Sequence, residues 1–246
     1  MSPLTKLVGA ITALLGLYTV NPWLEPPEAI HDYVDWGLWA GFIILLVLLF
    51  RERKAADSDV VEIEGPAFTR FLFSNSRAGW FWLPVRLFLG FAWLDAGIHK
   101  FTGEGWMDGG SALRGYWERA AAIPEGGRPP ITYEWYRDFI NLLLENNAEI
   151  WFAQLITFGE MAVGVGLILG VLTGIAAFFG AFMNMSFLLA GSASTNPVLF
   201  TLAIGLVLAW RVAGYYGVDR YLLPMLGTPW RFGAVARGAA TTSMRS

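Results

Sequence analysis

The chain has no cysteine and only two histidines, His31 and His99, among its 246 residues. The absence of cysteine excludes disulfides, cysteine-ligated iron–sulfur clusters, C-x-x-C redox chemistry and covalently attached c-type haem. The two histidines lie in separate parts of the chain and neither has a haem-binding context, so we expect no haem and no metal site. The sequence therefore contains no evident route of its own for electrons.

A basic excess is also lacking, because the net charge is −3 and the isoelectric point is near 5.4. Without a basic surface, nucleic acid is not an expected partner. Apolar residues make up 55% of the chain, and the mean hydropathy of +0.49 is on the apolar side of a soluble domain. They form blocks of about 17 to 23 residues, the length that crosses ~30 Å of hydrocarbon. The sequence therefore predicts an all-α integral membrane protein, surrounded by membrane lipids.

The apolar blocks predict six transmembrane helices. Their approximate ranges are 4–20, 34–50, 80–98, 150–172, 174–190 and 197–213. A signal peptide is an alternative for the first block, because Lys6 precedes a short apolar core. However, the following TVNPW has no small-x-small cleavage pattern, so we treat the first block as a helix.

The positions of lysine and arginine predict the orientation of the helices. These residues are concentrated after the second block and in the C-terminal tail. The first connection, NPWLEPPEAIHDYVD, has carboxylates and no Lys or Arg, and the connection from 99 to 149 has more acids than bases. We therefore expect both termini in the cytoplasm and the acidic loops outside.

The same features divide the chain into four segments. Residues 1–54 form an N-terminal transmembrane helix pair, 55–79 a cytoplasmic linker with an interfacial segment, 80–230 a four-helix membrane domain, and 231–246 a basic C-terminal tail. In the long outer loop, GGSALRGYWERAAA and TYEWYRDFINLLL each place apolar residues at helical spacing. They predict two amphipathic helices on the outer membrane surface, which serve either as ordinary interfacial packing or as a lid over a substrate.

Three polar residues are expected to form an inner layer inside the membrane: Arg86, Glu160 and Asn184. From a rise of ~1.5 Å per residue, Arg86 is ~9 Å from the inner end of its helix, and its long side chain can reach Glu160. Because an unpaired charge in lipid is costly, we expect Arg86 and Glu160 to form an ion pair. This pair either fixes the register of the helices or serves a quinone headgroup or a proton path.

A second polar layer is expected nearer the outer surface. Asp95 and His99 are four residues apart and share one helix face, and Gln154 reaches the same depth on the next helix. We expect a quinone headgroup to bind here, with Asp95 and His99 as the catalytic acid–base residues and Trp93 as a wall. The alternative is an interfacial histidine beside a lysine that is directed to the headgroups.

Two stretches of small residues can be explained by helix packing or by turns. In GVGLILGVLTG, glycines recur every four residues at 166, 170 and 174, which lets helices approach closely. GSASTNP, between the fifth and sixth blocks, offers hydroxyl and backbone N–H groups that either bind an oxyanion or cap helices and turns. Its candidate anion-binding residues are Ser192, Ser194, Thr195 and Asn196.

Several motifs, taken in order, resemble one family. PVRLFLGFAWLDAGIHKF, GWMDGGSALRGYW, FGEMAVGVGLILGVLTG, FMNMSFLLAGSASTNP and GVDRYLLP all fall within about residues 68 to 230. This pattern is similar to that of the DoxX family of bacterial and archaeal membrane proteins, which includes the DoxD subunit of thiosulfate:quinone oxidoreductase. The resemblance implies a four-helix bundle in a prokaryotic cell membrane and quinone-linked chemistry, in some members oxidation of thiosulfate to tetrathionate. It also implies that Arg86, Glu160 and Asn184 match recurring polar positions of the family.

Two functions stay open at this point. The chain is either the membrane subunit of a quinone-linked oxidoreductase, with quinone and a sulfur compound such as thiosulfate as substrates, or a non-catalytic accessory subunit of a respiratory or other energy-converting complex. The resemblance favours the enzyme, whereas the lack of a flavin, haem or metal motif favours the accessory subunit. In both cases other membrane or redox subunits are expected partners.

Overall fold

The structure is a computed structural model and describes residues 2–20, 28–52, 65–228 and 230. Within those ranges the secondary structure is helical and contains no strand. The predicted C-terminal tail, residues 55–64 of the predicted linker and the side chain of His31 lie outside the described residues. Two compact units are present, Met1–Glu64 and Gly65–Ser246, and their boundary falls inside the predicted linker.

The first unit is a hairpin of two helices, α1 (Pro3–Val20) and α2 (Glu28–Glu52). Their contact uses small residues, because Gly41 of α2 lies directly against the side chain of Thr12, which is buried. A larger residue in place of Gly41 would push the helices apart, as at other small-residue contacts between apolar helices. The first apolar block is therefore a helix that packs along the second.

The second unit contains the remaining helices, and short elements precede and follow its long ones. In chain order they are α3 (Ala67–Ser74), a 3₁₀ turn (Ser76–Ala78), α4 (Gly79–Thr102), α5 (Ser111–Ala121), α6 (Glu134–Glu145), α7 (Glu149–Leu169), α8 (Thr173–Leu189), α9 (Asn196–Leu208), α10 (Trp210–Ala213) and α11 (Asp219–Met225).

Helices α4, α7, α8 and α9 pack together as a bundle. Within the described residues, the segment Ser76–Thr102 and helix α7 are long and apolar enough to cross a membrane. Helices α8 and α9 are apolar but have only 17 and 13 residues, and the sixth predicted block is divided between α9 and α10. The described residues therefore contain two candidate membrane spans, and six spans stay a prediction.

An extensive contact joins α4 to α7, and the two helices run antiparallel. Gly90 of α4 lies against Ile168, and Gly97 lies against Met161. A Cβ atom at either glycine would come within 2.7 Å of these side chains, so the glycines allow the two backbones to approach closely. These contacts also define which residues of the two helices lie at the same level.

The glycines at 166, 170 and 174, which predict close approach of helices, do not lie on one helix. Helix α7 ends before Gly170, whose φ of +68° is a conformation that glycine adopts without strain and that often ends a helix. Gly166 and Gly174 therefore belong to different helices, and Gly174 packs against Trp210. The pattern marks the close turn between α7 and α8.

Helices α5 and α6, predicted from their apolar spacing, both form, and we call them the cover helices. Each buries one face, with Leu113 and Trp117 from α5 and Tyr136 and Ile140 from α6. These residues share a small apolar core with the first turns of α7 and the last turns of α8. The cover helices therefore lie against one end of the bundle.

Candidate ligand-binding groove and polar residues of the bundle

The charged partner of Glu160 is Lys100, not Arg86. Nζ of Lys100 lies 2.8 Å from Oε2 of Glu160, a residue that is 1% exposed. The predicted ion pair between Arg86 and Glu160 is therefore wrong. The contact of Gly97 with Met161 places Glu160 about twelve residues, or ~18 Å, along the bundle from the level of Arg86.

The direction of the side chains explains why Lys100 reaches Glu160. Side chains on a helix lean toward the N-terminus of their own helix. Because α4 and α7 are antiparallel, Lys100 and Glu160 lean toward each other, whereas Arg86 leans away from Glu160. Depth along the membrane normal, which was the basis of the prediction, does not contain this directional information.

Arg86 instead lies at the turn between α7 and α8. Its side chain is buried, and Nη2 donates a hydrogen bond to the backbone oxygen of Tyr216 at 3.1 Å. Gly170 and Gly217 enclose Nη1 so closely that a Cβ atom at either position would overlap the guanidinium. Asp219 supplies the electrostatic attraction that acts on Arg86.

Asp219 was not among the predicted site residues, although it belongs to the GVDR motif. It is buried, and its carboxylate accepts hydrogen bonds from the backbone N–H groups of Leu172 at 2.6 Å and Thr173 at 2.8 Å. A carboxylate at a helix N-terminus satisfies N–H groups that have no partner within the helix. Asp219 and Arg86 therefore fix the turn that connects α7 to α8.

Asn184 lies near the level of Glu160, as predicted, because Gly159 of α7 faces Met183 of α8. Asn184 is completely buried, and within the described residues neither its Oδ1 nor its Nδ2 has a hydrogen-bond partner. The predicted inner layer is thus separated into two parts, with Arg86 at the turn and the other two residues deeper in the bundle.

The predicted quinone site at Trp93, Asp95, His99 and Gln154 is not assembled. Asp95 and His99 do meet, because Nδ1 of His99 lies 3.3 Å from Oδ1 of Asp95 and donates to its backbone oxygen at 2.8 Å. However, their side chains are 74% and 76% exposed, whereas Trp93 is buried. Residues two apart do not share a helix face, so Trp93 cannot line one pocket with Asp95. Gln154 is exposed on α7.

The loop that was predicted to bind an anion makes the hydrogen bonds of a helix–helix turn. Nδ2 of Asn196 donates to the backbone oxygen of Ser192 at 2.9 Å. The backbone N–H of Ser192 donates to the backbone oxygen of Phe187. Ser194 and Thr195 are exposed. These bonds favour the structural alternative, and the anion site stays a prediction.

A groove of about 630 Å³ runs between α7 and α8, within the range of small-molecule pockets. The cover helices close one end, and the turn at Val171 and Leu172 closes the other. Leu155, Phe179 and Phe182 along its edges are each more than half exposed, so the groove opens sideways from the bundle. Among the described residues that line it, none is charged. Sequence analysis did not identify this groove, because its walls come from four helices.

Hydroxyl groups occur at the covered end of the groove. Tyr116 of α5, Tyr136 of α6 and Ser186 of α8 line this end. The hydroxyl of Tyr136 donates to the backbone oxygen of Ser186 at 2.9 Å. Burial raises the pKa of Tyr136 to about 12, with a smaller contribution from the neighbouring Tyr116. Burial also raises the pKa of Tyr116, and the nearby Ser192 opposes this shift. Both phenols are therefore neutral at physiological pH.

Arg114 fixes α5 over the groove. Its Nη1 donates to Oε1 of Glu149 at 2.8 Å and its Nε to Oε1 of Glu118 at 2.9 Å. The bonds to Glu149 and Glu118 raise the pKa of Arg114, so the guanidinium keeps its charge. Gly110, which precedes α5, lies against the backbone of Glu149, where a Cβ atom would overlap it. The cover helices are thus attached to the first turn of α7.

Within the described ranges, no three His, Asp or Glu side chains converge as metal ligands. No family model, curated protein or solved structure matches the chain. The resemblance to the DoxX family therefore rests on the sequence motifs alone.

Proposed function

We propose that this chain is the quinone-binding membrane subunit of a quinone-linked oxidoreductase, and that the groove between α7 and α8 is its quinone site. The groove is the observation that carries the proposal. It is apolar along its length, opens sideways, and has hydroxyl groups at its covered end. An isoprenoid quinone has the same division, with an apolar tail and a polar ring. Because lipid chains are as apolar as the groove, the tail contributes packing contacts there, and the polar ring is the part that the hydroxyl groups can recognise.

The proposal includes six membrane spans in a prokaryotic cell membrane, with both termini in the cytoplasm. Two candidate spans, in α4 and α7, support it. Helix α8 has 17 residues, which is the lower limit of the ~17–25 that cross a bilayer, and α9 continues into α10. The distribution of lysine and arginine supports the orientation, and the resemblance supports the prokaryotic membrane.

The redox reaction requires a second subunit. Reduction of a quinone to a quinol takes two electrons and two protons, and oxidation of two thiosulfate anions to tetrathionate releases two electrons. Thiosulfate as donor follows from the resemblance. Because the chain has no cysteine and no recognisable flavin or haem motif, we assign the electron route to a partner that holds a redox centre.

Filling the groove tests this function. Ala162 lines the groove and is exposed, so Ala162→Phe blocks it without disturbing the core. Val165→Phe is the matched control, because Val165 is exposed on the same helix and lies outside the groove. The proteins are placed in lipid nanodiscs and labelled with a photoreactive azidoquinone, and labelled peptides are identified by mass spectrometry.

We expect α7 and α8 to be labelled in the parent protein and in Val165→Phe. In Ala162→Phe the labelling should decrease about tenfold, which corresponds to ~1.4 kcal/mol of binding. Equal labelling of all three proteins, or labelling away from α7 and α8, would show that the groove is not a quinone site.

The accessory subunit is the second candidate function, and the Asp95–His99 pair favours it. Both side chains are exposed although they belong to a candidate membrane span. Ionisable groups within a span usually face a partner or a water-filled cavity, so this side of α4 is suited to contact another subunit. A chain that binds no quinone but co-purifies with a redox complex only when Asp95 and His99 are intact would have this function instead.

A further inference from the structure

The covered end of the groove contains an unsatisfied hydrogen-bond donor. The hydroxyl of Tyr116 is buried and, within the described residues, makes no hydrogen bond of normal geometry. Its looser interaction with Ser192 lowers its pKa, so Ser192 acts on the phenolic oxygen and leaves the proton without a partner. A buried hydroxyl without a partner is unfavourable, because it has lost its hydration without gaining a hydrogen bond. Tyr116 therefore lines the groove with a donor that a ligand can satisfy.

The neighbouring Tyr136 complements this donor. Its own proton is already donated to the backbone oxygen of Ser186, so the lone pairs of its phenolic oxygen are what it can offer a ligand. The hydroxyl of Ser186 is also occupied, because it donates to the backbone oxygen of Phe182. The covered end thus presents one free donor, on Tyr116, beside one acceptor, on Tyr136.

Both phenols keep their protons at the pH of a cell, because an ordinary tyrosine has a pKa of about 10 and burial raises the pKa of both further. They therefore act as neutral hydrogen-bonding groups and do not attract a charged ligand. The remaining wall of the groove is apolar, and a formal charge there would be desolvated without a counter-ion. A neutral ring with a carbonyl oxygen matches these properties.

We propose that the quinone ring binds at the covered end of the groove, where Tyr116 donates a hydrogen bond to one ring carbonyl and Tyr136 accepts one from the hydroxyl of the reduced quinol. This inference rests on the proposed function and replaces Asp95 and His99 as the residues that contact the ring. The tail extends from this end along α7 and α8 toward the turn at Leu172. Tyr116 is a binding residue of the ring, and it takes no part in electron transfer.

The same residues also explain how one site can hold both redox states. In the quinone, the ring oxygen accepts a hydrogen bond from the hydroxyl of Tyr116. In the quinol, that oxygen is a hydroxyl and can donate a hydrogen bond to the phenolic oxygen of Tyr136. Removal of the Tyr116 hydroxyl should therefore weaken binding of the oxidised ligand more than that of the reduced one.

Tyr116→Phe tests the proposal, with Tyr133→Phe as the matched control, because Tyr133 is exposed and lies outside the groove. Two ligands of equal tail length are compared in nanodiscs: decylubiquinone, which has ring carbonyls, and decylbenzene, which has none. One hydrogen bond corresponds to a change in affinity of about threefold to tenfold. We expect Tyr116→Phe to lose this factor for decylubiquinone and to bind decylbenzene unchanged.

An infrared measurement distinguishes a direct contact from a change in packing. With decylubiquinone labelled by ¹³C at one ring carbonyl, a hydrogen bond from Tyr116 lowers the carbonyl stretching frequency. We expect the frequency to rise in Tyr116→Phe and to stay unchanged in Tyr133→Phe. Unchanged affinity and frequency in Tyr116→Phe, while Ala162→Phe still prevents binding, would overturn the position of the ring and leave the proposed function intact.

Two further outcomes would reject the groove itself. If Ala162→Phe binds decylubiquinone as well as the parent protein does, both the ring site and the proposed function are wrong. If decylbenzene binds as tightly as decylubiquinone and added phospholipid displaces both, the groove holds lipid chains, and again both proposals fail.

Discussion

Replacement of Lys100 by Met removes the cation that lies 2.8 Å from the Glu160 carboxylate. The two single substitutions at this pair should differ in their effect. Lys100→Met leaves Glu160, which is 1% exposed, without its counter-ion. Glu160→Gln leaves Lys100, whose side chain is 20% exposed and can turn toward the headgroups. Lys100→Met should therefore lower the free energy of unfolding more than Glu160→Gln does.

The expected magnitudes follow from the burial of each partner. Removal of one member of a buried ion pair is unfavourable by ~3–5 kcal/mol. We expect ~3 kcal/mol for Lys100→Met and, because the lone lysine can reach a polar environment, ~1 kcal/mol for Glu160→Gln. The double variant lacks both charges, so it should be less destabilised than the sum, with a coupling of ~2 kcal/mol.

The assay is unfolding in mixed micelles by a denaturing detergent, followed by tryptophan fluorescence. The control cycle combines Arg86→Met with Glu160→Gln, because the helix register separates these residues by ~18 Å. The effects in this control should add within ~0.5 kcal/mol. Additive effects for Lys100 and Glu160, together with strong coupling between Arg86 and Glu160, would refute the register of α4 and α7.

Two other predictions concern the α7–α8 turn and the cover helices. Gly170→Ala and Gly126→Ala both place alanine at positive φ, +68° and +74°, but only at Gly170 would the added Cβ overlap Arg86, since Gly126 has open space. Gly170→Ala should therefore reduce the yield of folded protein in size-exclusion chromatography far more than Gly126→Ala, and equal yields would contradict the Arg86 contact. Because the pKa of Tyr136 is about 12 in the folded protein and 10.0 in its ordinary state, the folded state retains a proton that the unfolded state releases. Stability should thus fall as pH rises from 10 to 12, and this part of the loss should be absent from Tyr136→Phe. Ionisation of Tyr136 near pH 10 in a tyrosinate absorbance titration would contradict its burial.

The sequence predicted a helix correctly where apolar residues recur along one face of it. The stripe of Leu113 and Trp117 identified α5, and both residues are buried. Periodicity is a local property, so it does not depend on the partner against which the helix packs. The end of α7 was placed three residues too late, at 172, because apolar residues continue through the turn and only the φ of Gly170 ends the helix.

The contacts between helices could not be predicted in the same way. The Glu160 partner depends on which residues of α4 and α7 lie at the same level, and this register is set by Gly90 and Gly97. A single sequence shows that these glycines are present but not which residues they face. The groove depends on four helices at once, and Tyr116 becomes a candidate only when its hydroxyl is found to be buried at the groove end.

The buried charges of the second unit indicate what kind of ligand the groove can hold. Within its described residues, four charged side chains are buried, and each has a structural partner or neighbour: Arg86, Glu149, Glu160 and Asp219. These charges fix the α7–α8 turn, the first turn of α7 and the α4–α7 contact, and the groove is left with neutral groups alone. An anion such as thiosulfate would lose its hydration there without gaining a counter-ion, whereas a quinone would not. If the complex oxidises a sulfur anion, that anion therefore binds outside the groove, and the groove serves only the lipid-soluble partner of the reaction.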